Sequence, residues 1–278
     1  MGTGSVVRRR MLARRLRLLR EMAGLTLEVA APRLFWSSSK LNRIETGLQP
    51  VDVHGLKSML DLYGVGGDEW KELTELAIAC REHGWWRAYG IGDNSYVGFE
   101  AEAVRLHEFA TGFVPGLLQT APYCAALLLA SPVRSDGDRE REVAVRARRQ
   151  RRLTAAEDDL ELVAVVAEAV LHNPVGGRDV LREQLDHLLM AAELENVSLQ
   201  VLPAGTGAHP ALASGFAVLH FGDLGEPDIA YVEHALGAVQ LEKAKDVALA
   251  RLKFDQLRSL ALAPAASQAL IERVAGRL

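Results

Sequence analysis

The chain has 278 residues, 49% of them hydrophobic and 24% charged, which is the composition of a folded protein with room for two domains. No apolar run approaches the roughly 18 residues that a membrane span needs, and the two cysteines, Cys80 and Cys124, lack metal-ligand spacing. The net charge of −4 hides an asymmetry: residues 1–65 carry eleven basic and five acidic residues, a balance of +6, and the remainder carries 21 basic and 31 acidic, a balance of −10. A basic head on an acidic body suits a DNA-binding module joined to a regulatory domain and speaks against a structural chromatin protein. The arginine-rich N-terminus lacks an apolar stretch and a small-residue cleavage site, so a cytoplasmic location is expected. In that reducing compartment the two cysteines are expected as ordinary thiols.

Apolar residues at Leu12, Leu16 and Leu19 predict a first helix over about 7–23, closed by Gly24. Its arginines are read either as a solvated face or as contacts to a DNA backbone. Thr26 is placed to cap a short helix from Leu27 to Leu34 with Ala30, Ala31 and Leu34 inward. Phe35 and Trp36 then make a turn, and Ser37 caps a second short helix to about Glu45, ended by Gly47. Leu41 and Ile44 give that helix one buried stripe, which leaves Ser38, Ser39, Lys40, Asn42 and Arg43 on its other faces. Short polar side chains with one lysine and one arginine suit a helix laid against base edges and phosphates. Asp52 caps a fourth helix to Tyr63, and a fifth runs from Asp68 to about Glu82.

The segment 83–94, rich in glycine and tryptophan, is read as an interdomain connection whose tryptophans pack on the second domain, with stacking on bases as the alternative. Beyond it the pattern turns mixed. A strand is expected over 104–109, a helix capped by Thr120 to about Ala130, and a long helix from Asp136 to about Leu153 dense in arginine. The apolar run 160–171, interrupted by Glu168, reads as a central strand, and Arg178 to Glu193 as a helix. Alternation predicts further strands at 197–202, 216–221, 229–232 and 239–241, before helices from about Lys243 to Leu260 and from Pro264 to Arg277. The expected architecture is an all-α five-helix head over 1–83, a connector over 84–98, and an α+β domain over 99–278 with a central sheet flanked by helices.

Gly24-Leu25-Thr26, Ala30-Ala31, the run from Ser39 to Gly47 and Leu62-Tyr63-Gly64-Val65 resemble the helix-turn-helix of the phage-repressor and Cro type, often called XRE. One departure is Leu27, which stands where many members carry a glutamine that touches a phosphate. Gly84-Trp85-Trp86, the run from Val114 to Thr120, Pro174 to Gly177, Gln200 to Pro203, Gly207 to Pro210 and Tyr231-Val232-Glu233 look like the uncharacterised C-terminal domain that follows such a head in many actinomycete regulators. The resemblance implies a sequence-specific DNA-binding regulator, and it implies that Arg20 and Glu45 pair across the head. A single head covers only part of a helical turn, so a homodimer on an inverted repeat of double-stranded DNA is expected. The base-edge candidates are Ser38, Ser39, Lys40 and Asn42, and the capping Ser37 is counted with them in the DNA-binding set. The phosphate candidates are Thr26, Arg43, Arg14 and Arg15.

No arrangement of residues carries catalysis, metal or cofactor chemistry, so no enzyme is expected. Gly205-Thr206-Gly207 lacks the helix that a phosphate loop needs. Glu168, a carboxylate in an apolar run, and His209, in a glycine-proline loop, are the candidates for an effector pocket. Their plainer roles are a strand-end acid held by backbone amides and a histidine that fixes its loop. Two readings remain for the acidic body: a domain that dimerises and docks a small partner protein, with the arginine helix offered to an acidic one, or a domain that encloses a small-molecule effector.

Overall fold

The computed structural model describes residues 5–81, 84–93, 95–130, 135–155, 160–222 and 226–278. Backbone contacts divide the chain into two compact units, Met1–Glu102 with Gly222–Glu226, and Ala103–Phe221 with Pro227–Leu278.

The first unit begins with the five helices α1 (Ser5–Met22), α2 (Leu27–Arg33), α3 (Ser38–Glu45), α4 (Val53–Tyr63) and α5 (Gly67–Ala79). Each carries a stripe of apolar residues at helical spacing, and the stripes meet in one core that includes Leu12, Leu16, Leu41, Leu56, Leu60 and Leu73. Local chemistry sets the helix ends. The side chains of Thr26, Ser37 and Asp52 each accept an N–H of the following first turn, from Val29, Lys40 and Gly55. Gly64, with φ of 75°, closes α4 in the left-handed region that a side chain would strain. Glu82, the expected end of the fifth helix, lies outside the described residues, as do His83 and Asn94.

The connector expected over 84–98 is instead folded with the head, because polar contacts fasten it to α1. After a 3-10 turn (Trp85–Tyr89), Asp93 pairs with Arg9 at 3.1 Å and takes the indole N–H of Trp86 at 3.2 Å. The guanidinium of Arg87 on the same carboxylate holds Asp93 well below the usual range. The helix α6 (Tyr96–Glu100) follows, and the two carboxylate oxygens of Glu102 accept the Val6 and Val7 amides, each at 2.8 Å. An acid at the N-terminus of α1 satisfies donors that the helix leaves over, and burial pushes Glu102 up to about 7.

Among the described residues the second unit is built on a six-stranded mixed sheet in the order β3-β2-β1-β4-β5-β6. Its strands are β1 (Arg105–Ala110), β2 (Glu161–Ala167), β3 (Val197–Leu202), β4 (Phe216–His220), β5 (Ile229–His234) and β6 (Gly237–Leu241). β1, β2 and β3 run parallel, β4 joins β1 antiparallel, and β5 and β6 follow, each antiparallel to the strand before it. Between them come α7 (Ala121–Leu129), α8 (Asp136–Gln150), α9 (Glu168–His172) and α10 (Arg178–Ala191), and α11 (Ala244–Leu260) and α12 (Pro264–Ala275) end the chain. Phe254 and Leu257 of α11 pack against Phe109, Val163 and Val165 on one face. Leu162, Ala164 and Val166 are equally buried and by alternation serve the other. A strand covered on both faces reads as a continuous apolar run, which is why 160–167 is legible in the sequence.

Candidate nucleic-acid interface

α3 is held from below and left open above. Leu41 and Ile44 are buried in the head core, whereas Ser37, Ser39, Asn42 and Arg43 are exposed and Ser38 and Lys40 half-buried. The Ser37 hydroxyl spends itself on the Lys40 amide at 3.2 Å, so its first role is to start the helix. Thr26 does the same for α2, accepting from Val29 at 3.4 Å. Leu27 packs against the core.

A buried ion pair fixes α3 to α1. The guanidinium of Arg20 donates to both carboxylate oxygens of Glu45 at 2.9–3.0 Å and to the Leu25 carbonyl at 2.6 Å. The two side chains are only 7% and 2% exposed. Tyr63 adds its hydroxyl to Glu45 at 3.3 Å, and burial with the neighbouring carboxylate raises its pKa. The hydrogen bond to Glu45 raises Arg20 in turn.

The turn between α2 and α3 contains two aromatics with opposite fates. Trp36 lies so close to Gly55 of α4 that a Cβ there would meet its ring at 2.8 Å. Its outer face carries the Lys40 ammonium, 4.0 Å from the ring centroid, a cation–π contact that aims the lysine. Phe35 is 96% exposed and adopts φ of +57°. The left-handed region costs a residue with a side chain about 1–2 kcal/mol. Neither feature was singled out from the sequence, although a turn this tight between two capped helices signals a left-handed residue.

Arg14 and Arg15, the phosphate candidates on α1, are part-exposed and form ion pairs within the head. Arg14 pairs with Glu226 at 2.5 Å, a carboxylate that also holds Arg10 at 2.8 Å, and Arg15 pairs with Glu69 at 2.6 Å. Proximity in the fold brings these carboxylates, Glu69 of α5 and Glu226, to the arginines of α1. α2 and α3 themselves carry Arg33, Lys40 and Arg43.

Residues 11–73 match a family described as a helix-turn-helix domain. Residues 94–273, well over half of the chain, match the family described as Domain of unknown function (DUF5753). The chain belongs to the DUF5753 family. No curated protein and no solved structure matches it. The head is therefore a helix-turn-helix domain of the DNA-binding kind, and the uncharacterised domain takes in most of the second unit together with residues 94–102 of the first. Among the described residues, no helix is long and apolar enough to cross a membrane.

In the DUF5753 domain the two pocket candidates have local roles. Glu168 is not part of a strand: β2 ends at Ala167, and Glu168 opens α9, where its carboxylate accepts the Ala204 amide at 2.8 Å. His209 sets its ring edge-on to Phe109 at 5.5 Å. No contact joins the two among the described residues. The arginines of α8 are also spoken for. Arg146 bonds Gln119, and Arg139 and Arg141 pair with Asp136 and Asp138; just beyond the helix Arg152 donates to the Ala103 carbonyl at 2.9 Å. Arg146 acts beside Gln184, which takes the Thr120 amide and donates to the Leu118 carbonyl, each at 2.7 Å, and so locks the turn at 114–120. Both thiols are free; burial pushes that of Cys80 up to about 11.

A polar network that the sequence did not announce lies on the α11 face. His220 joins Asp228 through Nδ1 at 2.5 Å and His107 through Nε2 at 3.2 Å. His107 stacks on Phe254 at 4.6 Å, and Arg251 pairs with Asp228. Burial holds His107 down to about 3 and His220 to about 4.

Proposed function

We propose that the protein is a sequence-specific transcriptional regulator of the XRE type that binds double-stranded DNA as a homodimer on an inverted repeat, in the cytoplasm. The observation that carries this is α3: a capped helix anchored through Leu41, Ile44 and the Arg20–Glu45 pair, with Ser39, Asn42 and Arg43 turned outward. Its length and polar outer face suit a major groove, with Ser38, Ser39, Lys40 and Asn42 at base edges and Arg43 and the N-terminus of α2 at phosphates. The DUF5753 domain is assigned dimerisation and the response to an effector or a small partner protein. Arg139 and Arg141 of α8 pair with Asp136 and Asp138 of the same helix, which argues against that helix as a dock for an acidic partner. Regulation accounts for the site without catalysis or a cofactor.

Selecting bound fragments from random duplex DNA with the full chain tests the reading. The expected product is an inverted repeat with half-sites about one helical turn, or a multiple of it, apart. Failure to enrich any sequence at moderate salt would remove the proposal.

A further inference from the structure

Phe35 is strained and exposed at once. Its φ of +57° makes it the one residue other than glycine in the left-handed region among those described, and its side chain is 96% exposed. Its amide closes the turn onto the Pro32 carbonyl at 3.0 Å, which fixes the backbone without engaging the ring. The inward place in this turn is taken by Trp36, seated against Gly55, so the ring has no core to enter. Glycine would satisfy the same backbone without strain. A bulky apolar side chain that stands here, two residues before the cap of α3, strained and unburied, contributes nothing to the packing of the head.

We propose that Phe35 is an apolar contact to duplex DNA, laid against methyl groups or deoxyribose carbons at the edge of the groove that α3 enters. The inference rests on the DNA-binding reading above and deepens it. Thymine presents a C5-methyl in the major groove, and phenylalanine is among the side chains that read it. α3 itself exposes only polar groups, so Phe35 supplies the apolar complement that tells thymine from cytosine beside the hydrogen-bonding positions. Trp36 fixes the backbone on one side and the Pro32 carbonyl on the other, so the ring is presented from a rigid turn.

The test uses the full-length protein on its selected duplex, with Phe35→Gly and Phe35→Asn, both of which tolerate the left-handed turn. Burying a phenyl ring against DNA predicts that each variant binds about tenfold or more weakly, with wild-type circular dichroism and wild-type sedimentation without DNA. Duplexes in which single thymines are replaced by deoxyuridine separate the sources. One position that weakens the wild type several-fold and leaves Phe35→Gly unaffected identifies a methyl, whereas a Phe35-dependent loss with no deoxyuridine-sensitive position identifies the sugar edge. Variants that bind as the wild type does overturn the proposal. So does a loss explained by dissociation of the dimer in sedimentation, which places the ring in a protein interface. If the wild type shows no sequence preference, the DNA-binding reading itself falls, a result distinct from either.

Discussion

Glu45→Ala leaves the Arg20 guanidinium with the Leu25 carbonyl as its remaining hydrogen-bond acceptor and the half-exposed Glu21 carboxylate, 3.6 Å away, as its remaining ion-pair partner among the described residues. In the native head three donor–acceptor contacts of 2.9–3.0 Å satisfy it, and water reaches neither side chain to any extent. Breaking such a pair from one side costs about 3–5 kcal/mol, chiefly the desolvation of the charge left behind. For a domain of this size 1 kcal/mol moves the midpoint by about 4–8 °C, so the helical transition should fall by roughly 12 °C or more. Replacing both partners with apolar residues, Arg20→Met with Glu45→Leu, removes the stranded charge and should recover most of the loss. Thermal unfolding of the full chain followed at 222 nm reads all three proteins. A Glu45→Ala protein melting within about 2 °C of wild type, or a double variant no better than the single one, would refute the reasoning.

Lys40→Ala should relax sequence preference while leaving the fold intact, and Arg43→Ala should weaken all sequences alike; binding of both variants to the selected and a scrambled duplex separates the two effects. The histidines of the α11 network have folded pKa values near 3 and 4, below their ordinary 6.5, so between those limits the unfolded chain takes up protons first. Stability of the DUF5753 domain should therefore be complete above about pH 6.5 and fall as the pH drops toward 4, with a shallower decline in His107→Phe; a flat profile would show that the network titrates normally. With Arg33 and Arg43 as the phosphate-facing cations of α2 and α3, a dimer neutralising four phosphates gives a slope of about −4 in a plot of log affinity against log salt, and Arg14→Ala or Arg15→Ala should leave that slope unchanged.

Much of the fold could be read before any coordinates, for reasons tied to particular residues. Thr26, Ser37 and Asp52 announce their helices because a cap acts within three residues. β2 is visible because both of its faces are buried, and α11 because Val247, Phe254 and Leu257 repeat at helical spacing. The end of β2 was less legible. An apolar run continues through Val170 and Leu171, and only the helical geometry of α9 shows that Glu168 opens a turn there, where an acid is favoured. The tryptophan-rich segment after Gly84 has connector composition, yet Asp93 and Glu102 tie it to α1 through contacts spanning more than eighty residues, which no local pattern encodes.

The same limit governs the site. Which side chains of α3 face outward follows from period alone, but which arginines are available to an anion depends on carboxylates placed by the tertiary fold. Glu226 lies 212 residues from Arg14 in sequence and 2.5 Å away in space. A count of charges over residues 1–65 therefore overstates the positive field that the head presents, since Glu69, Asp93 and Glu226 supply the missing acids from outside that window. On α2 and α3 the cations are Arg33, Lys40 and Arg43. Such an arrangement gives a modest non-specific term and leaves discrimination to the side chains of α3 and its turn. The aromatic pair fits that division: Trp36 holds Lys40 at 4.0 Å and orients it, while the Phe35 ring, 96% exposed, is the one proposed to lie against the duplex.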